Sequence, residues 1–172
     1  MIDANRVNAR QADPHMNRLE KWREDEVIEL MMAESAYNEA RSGGDPRRAR
    51  KVGFQIFSMT LATTDAEQEE LRQIERILFR KGATTQNQRN DVDIVFNAKK
   101  YMRILVTADG GSNRQPGGIL GNRATLAAIG VRVMTAAEAV ALVEQKITER
   151  DDFARRLAAE VGVSLPQWVG QD

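Results

Sequence analysis

The chain has no cysteine and a single histidine among its 172 residues. Without cysteine it can form neither disulfides nor thiolate metal sites, which fits a reducing, cytoplasmic compartment. Charge of one sign is also lacking in excess: 25 basic residues balance 25 acidic ones. No overall basic surplus therefore announces a nucleic-acid binder, although a short strand needs only a local patch. No run approaches the ~18 apolar residues of a membrane span, so no membrane association is expected. The opening residues carry no signal-peptide pattern. What remains is 42% hydrophobic and 29% charged, an ordinary balance for one domain with a proper core.

Periodicity divides the chain into alternating strands and helices. Met1-Ile2 reads as the end of a strand running into Asp3-Ala4-Asn5. Pro14 opens a helix to about Glu24, with Leu19 and Trp22 on its apolar face. VIELMM, Val27 to Met32, reads as a strand, and Ser35 caps a short helix through Arg41 that carries Glu39. SGGDP breaks the chain before a basic, helical segment, Arg47 to Lys51. Gly53 to Leu61 fits both strand and helix patterns. Thr64 and Glu67 form a capping box for a helix ending at Lys81-Gly82. A further helix runs from about Gln86 to Met102, a strand from Arg103 to Thr107, a helix within Ile119–Ile129 and a strand from Val131 to Met134. The last helix starts at Thr135, reaches Arg150 and can extend through Leu157; SLPQWVGQD reads as a tail in which Trp168 docks. Residues 1–150 then form one domain, 42–88 a helical insertion within it, and 151–172 the helix end and tail. The alternation predicts an α/β fold: a three-layer sandwich with a central, mostly parallel sheet and helices on both faces.

In such sheets the working site lies beyond the carboxyl ends of the strands. Four acids fall there. Asp3 follows the first strand, Asp109 follows strand 103–107, and Glu39 lies on the helix leaving strand 27–32. Asp91 lies near the start of the helix that feeds strand 103–107, which puts it at the same edge. Asp93 competes with it. From Asp91 the positions three, four, seven and eleven ahead are Ile94, Val95, Ala98 and Met102, an apolar face; from Asp93 they include Asn97 and Lys100, which suggests solvent. A carboxylate on a core-facing stripe is costly unless paired or bound to a cation, which selects Asp91. Clustered carboxylates repel, and a hard divalent cation removes the conflict. All-oxygen ligands favour Mg²⁺ or Mn²⁺ and phosphoryl chemistry. His15, after Pro14 at a helix start, reads as a surface residue. Asp109 also has a plain structural reading, as the cap of a turn.

These motifs resemble the PIN-domain family, which includes toxin-type ribonucleases. The resemblance rests on IDAN (Ile2 to Asn5), VIELMMAESAYNEA with Ser35 and Glu39, DVDIVFNA (Asp91 to Ala98), LVTAD (Leu105 to Asp109) and VRVMTAAEAV (Val131 to Val140). It covers residues 1–40 and 91–143; 42–88 matches no pattern, and GGSNRQPGG lacks the second acid or aromatic that often follows the family's last motif. The resemblance implies that Asp3, Glu39, Asp91 and Asp109 bind Mg²⁺ or Mn²⁺, and that Asn5 and Thr107 steady the site by hydrogen bonds. It implies an endoribonuclease acting on single-stranded RNA, with an antitoxin or other protein as a possible partner and a homodimer as a possible assembly. The alternative is a catalytically weak PIN-like module that binds RNA or protein. Arg47 to Lys51 reads either as an RNA contact or as a solvated run. Arg114 and Arg123 stand closer to the acid edge.

Overall fold

The computed structural model describes residues 1–53, 56–58, 64–112 and 115–172, without the side chains of 56–58, 112, 115 and 116. A 3-10 turn at Ala4–Arg6 precedes α1, Pro14–Glu24. Then come β1 (Met31–Ala33), α2 (Glu34–Ser42), α3 (Pro46–Val52), β2 (Ile56–Ser58), α4 (Asp65–Leu78) and α5 (Gln86–Lys100). The remainder is β3 (Leu105–Val106), β4 (Gly111–Ser112), β5 (Gln115–Pro116), α6 (Gly118–Gly121), α7 (Arg123–Ala128), β6 (Val133–Met134) and α8 (Ala136–Val161).

The three-layer sandwich expected from the alternation is not what forms. The chain is mostly helical, and its described strands are two or three residues long and pair two by two. β1 runs parallel to β2 and β3 parallel to β6, while β4 and β5 form an antiparallel pair. The physical reason lies in the first residues. The segment before Asp3 supplies a single bridge, Ile2 to Val106, in place of a ladder. Its backbone bonds reach both sides: Ile2 N donates to Met31 O at 2.8 Å, Asp3 N to Val106 O at 3.0 Å, and Val106 N to Met1 O at 2.8 Å. These bonds stitch the two parallel pairs together without making a broad central sheet. VIELMM yields strand only from Met31, and RILVT only at Leu105–Val106.

The helices follow their local signals closely. Asp13 accepts from the His15 and Met16 amides at the start of α1, with Pro14 in the first turn. Capping boxes open α4 at Thr64, α5 at Thr85 and α8 at Thr135. Asp45 caps α3, so the basic segment is helical as expected. Ser35 lies inside α2 and does not cap it. The segment from Gly53 to Leu61 that fits two patterns contains the short strand β2; 54–55 and 59–61 lie outside the described residues, as does Arg114. α8 continues to Val161, past the boundary expected near Arg150 and past Leu157. Among the described residues no helix is long and apolar enough to cross a membrane.

One hydrophobic core joins these elements. α5 is its central strut, with Val92, Ile94, Val95, Phe96 and Ala98 all buried. Lys99 and Lys100 of α5 pair with Glu70 and Glu67 of α4, both at 2.7 Å, and tie those helices together. Trp22, Met16 and Leu19 anchor α1, and Arg18 stacks over the Trp22 ring at 4.7 Å. Trp22 is 1% exposed. Trp22→Ala should therefore cost about 3–5 kcal/mol, read as a lower urea midpoint at unchanged slope. A loss below ~1 kcal/mol would mean that α1 is not a structural member of the core.

Candidate functional site

Three backbone segments meet where β3 ends: the turn Ala4–Arg6, the head of α2, and the loop after Thr107. Asp3 sits at their junction and is 4% exposed. Its Oδ2 accepts from Thr107 Oγ1 at 2.7 Å and from Asn5 Nδ2 at 2.6 Å, and Asn5 Nδ2 also donates to Thr107 Oγ1 at 3.2 Å. Asn5 Oδ1 in turn accepts from the Ala108 amide, and Thr107 Oγ1 from the Asp109 amide, both at 3.0 Å. Asn5 and Thr107 thus hold the Asp3 carboxylate by hydrogen bonds. Both side-chain bonds fall on one oxygen, and Oδ1 lies outside that pair.

Burial raises the affinity of Asp3 for a proton; the Thr107 bond opposes this, and the negative charges of Glu39 and Asp109 add to the rise. That response brings Asp3, Glu39 and Asp109 into one electrostatic neighbourhood. The sign for stability follows directly. The folded state binds the Asp3 proton more tightly than the unfolded chain does, so Asp3 favours folding most at low pH. Its contribution becomes a cost as pH rises from the usual carboxylate value through the raised one. Asp3→Asn keeps an acceptor for both donors and removes the charge. It should raise the melting temperature at pH 7–8, with the gap to wild type closing towards pH 4. An offset that is constant with pH would show that Asp3 is not charged at a cost in the folded state.

Asp109 occupies a different environment. Its Oδ1 accepts from the Gly111 amide at 3.0 Å and its Oδ2 from the Ile119 amide at 2.8 Å. It therefore ties the turn after β3 to the start of α6, the capping role that was the plain reading of this residue. Gly118 makes that geometry possible. It has a φ of +52°, and a Cβ there would meet both Asp109 oxygens at 2.6 Å and collide with the Gly111 nitrogen. Gly118→Ala is expected to destabilise by about 1–3 kcal/mol, and Asp109→Asn by about 1 kcal/mol, the usual worth of a cap. Thermal melts of both variants check this; a melting temperature at or above wild type for Asp109→Asn would count against the cap.

α5 departs from its expected phase. Asn97, placed on a solvent face by sequence periodicity, is 1% exposed. Its Nδ2 donates to Asp93 O at 2.9 Å and to Asp93 Oδ1 at 3.2 Å. Asp93 Oδ2 accepts from Ser35 Oγ at 2.5 Å. One turn earlier on α5, Asn90 Nδ2 donates to Glu39 Oε2 at 3.3 Å. Asn90, Asp93 and Asn97 thus form a polar stripe facing α2; Asp91 is half-buried, as are Asn90 and Asp93. The reason is that α5 is enclosed on most sides, so its polar residues also face protein and the contrast between apolar and polar faces loses its meaning. Burial lifts the Asp93 carboxyl above its usual range; the Ser35 bond opposes the shift and the Glu34 charge adds to it. The missed signal was the spacing of three and four between Asn90, Asp93 and Asn97. His15 is exposed, as expected. Arg123 pairs with Glu138 at 2.8 Å and so is committed to the start of α8.

Among the described residues no three histidine, aspartate or glutamate side chains are drawn together closely enough to hold a metal ion between them. The donor chemistry still suits a hard divalent cation, because Mg²⁺ takes one or two carboxylates and completes its shell with water and phosphate oxygens. Asp3 is the natural anchor, being desolvated and near two other carboxylates. No protein-family model matches the chain, and no curated protein matches it.

Proposed function

We propose that the protein is a Mg²⁺- or Mn²⁺-dependent nuclease that hydrolyses phosphodiesters of single-stranded RNA, in the manner of the PIN-domain ribonucleases its motifs resemble. The observation that carries this reading is the buried Asp3 carboxylate, held by Asn5 and Thr107 and destabilised as an anion by burial, Glu39 and Asp109. Charged groups kept at a cost mark functional sites. Asp3 and Glu39 would hold the ion, with Asp109 behind them. The fourth carboxylate of the proposal is Asp93 in place of Asp91, supported by its bond to Ser35 at the head of the helix that carries Glu39. A bound ion would supply an activated water and offset charge developing on the phosphate. A cysteine-free chain suits the cytoplasm, where we place it.

A basic surface supports a polyanionic substrate. Arg48 Nη2 donates to Ala4 O, which couples α3 to the turn beside Asp3. On the other side of α3 lies a cavity of about 640 Å³ lined by Arg10, Arg23, Arg47, Arg50 and Lys51 against Glu20 and Glu24. Lys51 and Glu20 neutralise one another at 2.6 Å. Arg10, Arg47 and Arg50 add positive charge to this wall, a field suited to a phosphate backbone.

A second reading, an RNA-binding module with little or no catalysis, is favoured by the backbone bonds that occupy both Asp109 oxygens. Cleavage of end-labelled single-stranded RNA with Mn²⁺ or with EDTA separates the two. Mn²⁺-dependent cleavage should fall at least ~100-fold in Asp3→Asn, beyond the 10–100-fold typical of residues that only support a ligand. Asp93→Asn should lose more than Asp91→Asn. RNA binding without cleavage in wild type establishes the module, and metal-independent cleavage removes the proposed site.

A further inference from the structure

The second half of α8 carries apolar surface that the core does not cover. Phe153 is 59% exposed, Leu157 46% and Val161 61%, spaced four residues apart on one face. The tail returns along α8 and adds Trp168 at the Arg150 end of this face. Beyond Val161 lie Val163 and Leu165, 58% and 46% exposed. At the other end Trp168 stacks on Arg150 with 4.5 Å between guanidinium and ring, and is 44% exposed. The tail is anchored, because Asp151 accepts from the Gly170 amide at 2.7 Å and Arg150 pairs with both Asp151 and Asp172. Phe153, Leu157, Val161 and Trp168 alone present on the order of 400 Å² of apolar surface, within the size range in which a monomer's largest patch is often functional.

We propose that this face pairs with the same face of a second copy, α8 lying antiparallel to α8 about a two-fold axis near Leu157. The charges beside the stripe identify the occupant. At about 100° per residue, Arg156 and Glu160 lie about 100° and 60° to the same side of the stripe's centre. Ala154, Ala158 and Asp151 lie on the other side and are buried. In an antiparallel pair the matching flanks of the two helices face each other. The axis sets Phe153 against Val161 of the second copy and Leu157 against its own equivalent. It brings Arg156 level with Glu160 of the second copy to within about 3 Å along the helix. Two symmetric ion pairs result, and among the described residues neither Arg156 nor Glu160 has an ion pair within its own chain. An acidic or basic partner would require a flank of one sign, whereas this flank carries both and is complementary to itself. With its polar rim, the patch approaches the ~800 Å² per partner of a standard interface. The pairing stands apart from the nuclease reading, since none of its residues belongs to the acid site.

Sedimentation equilibrium of the full chain tests it. Wild type should be dimeric at tens of micromolar, and Leu157→Glu monomeric with an unchanged far-UV spectrum. Arg156→Glu should weaken the dimer at least tenfold, and Arg156→Glu with Glu160→Arg should recover it to within about threefold, because the exchange restores both symmetric pairs. A wild type that stays monomeric to 1 mM overturns the proposal. So does a dimer that survives Leu157→Glu, or one that the double exchange fails to rescue.

Discussion

The three-way hydrogen-bond lock among Asp3, Asn5 and Thr107 is the constraint around which the rest of the molecule is arranged. It buries a carboxylate at the meeting point of the first residues and the end of β3. Each neighbour of that point must then be either a donor or a scaffold for one. Thr107 is fully buried and serves three partners: it donates to Asp3 and accepts from Asn5 and the Asp109 amide. Asn5 uses both ends of its amide, one towards the carboxylate and Thr107 and the other towards the Ala108 backbone. The polar chemistry at this end of the fold is continuous, and removing any one member leaves a buried group without its partner.

α3 and the loop before α1 extend that order outward. Asn8, 8% exposed, accepts from the Ala12 and Asp13 amides and donates to Asp13 O and Asn17, while its carbonyl receives Lys51. This hub holds the loop carrying Arg10 in a fixed shape, with Gln11 at a φ of +55°. The arginine-lined cavity is therefore built on a rigid frame, which lowers the ordering cost of binding an anion there.

The helices were legible because their signals are local. Thr64 with Glu67 and Pro14 after Asp13 announce starts that need no tertiary context. The Asp3, Asn5 and Thr107 group was legible for a related reason, as residues at strand ends in recognisable motifs. The sheet was not. Whether VIELMM becomes a six-residue strand or a three-residue one depends on how its neighbours pair, and the neighbouring segment here pairs through a single bridge at Ile2. The α5 phase was misread at Asn97 because periodicity finds the apolar face of a helix only when the opposite face meets water. Asp109 shows another limit. An acid followed by glycines fits a ligand and a cap equally well in sequence, and the Ile119 and Gly111 amides that distinguish them come from a turn whose path the sequence does not reveal.

The bridge between Ile2 and Val106 has a kinetic meaning. Residues 1–3 bond to Ile104, Val106 and Thr107, so the lock closes a loop of about a hundred residues. Loop closure of that length is entropically expensive and rewarded only when the intervening helices are already packed. β1 with α2, and α4 with α5, involve short separations and can assemble beforehand. The acid neighbourhood should then be the last part of the molecule to condense and the first to open. A nascent chain would leave Asp3 without its Thr107 donor, and without Asp109 beside it, until the end of β3 had left the ribosome.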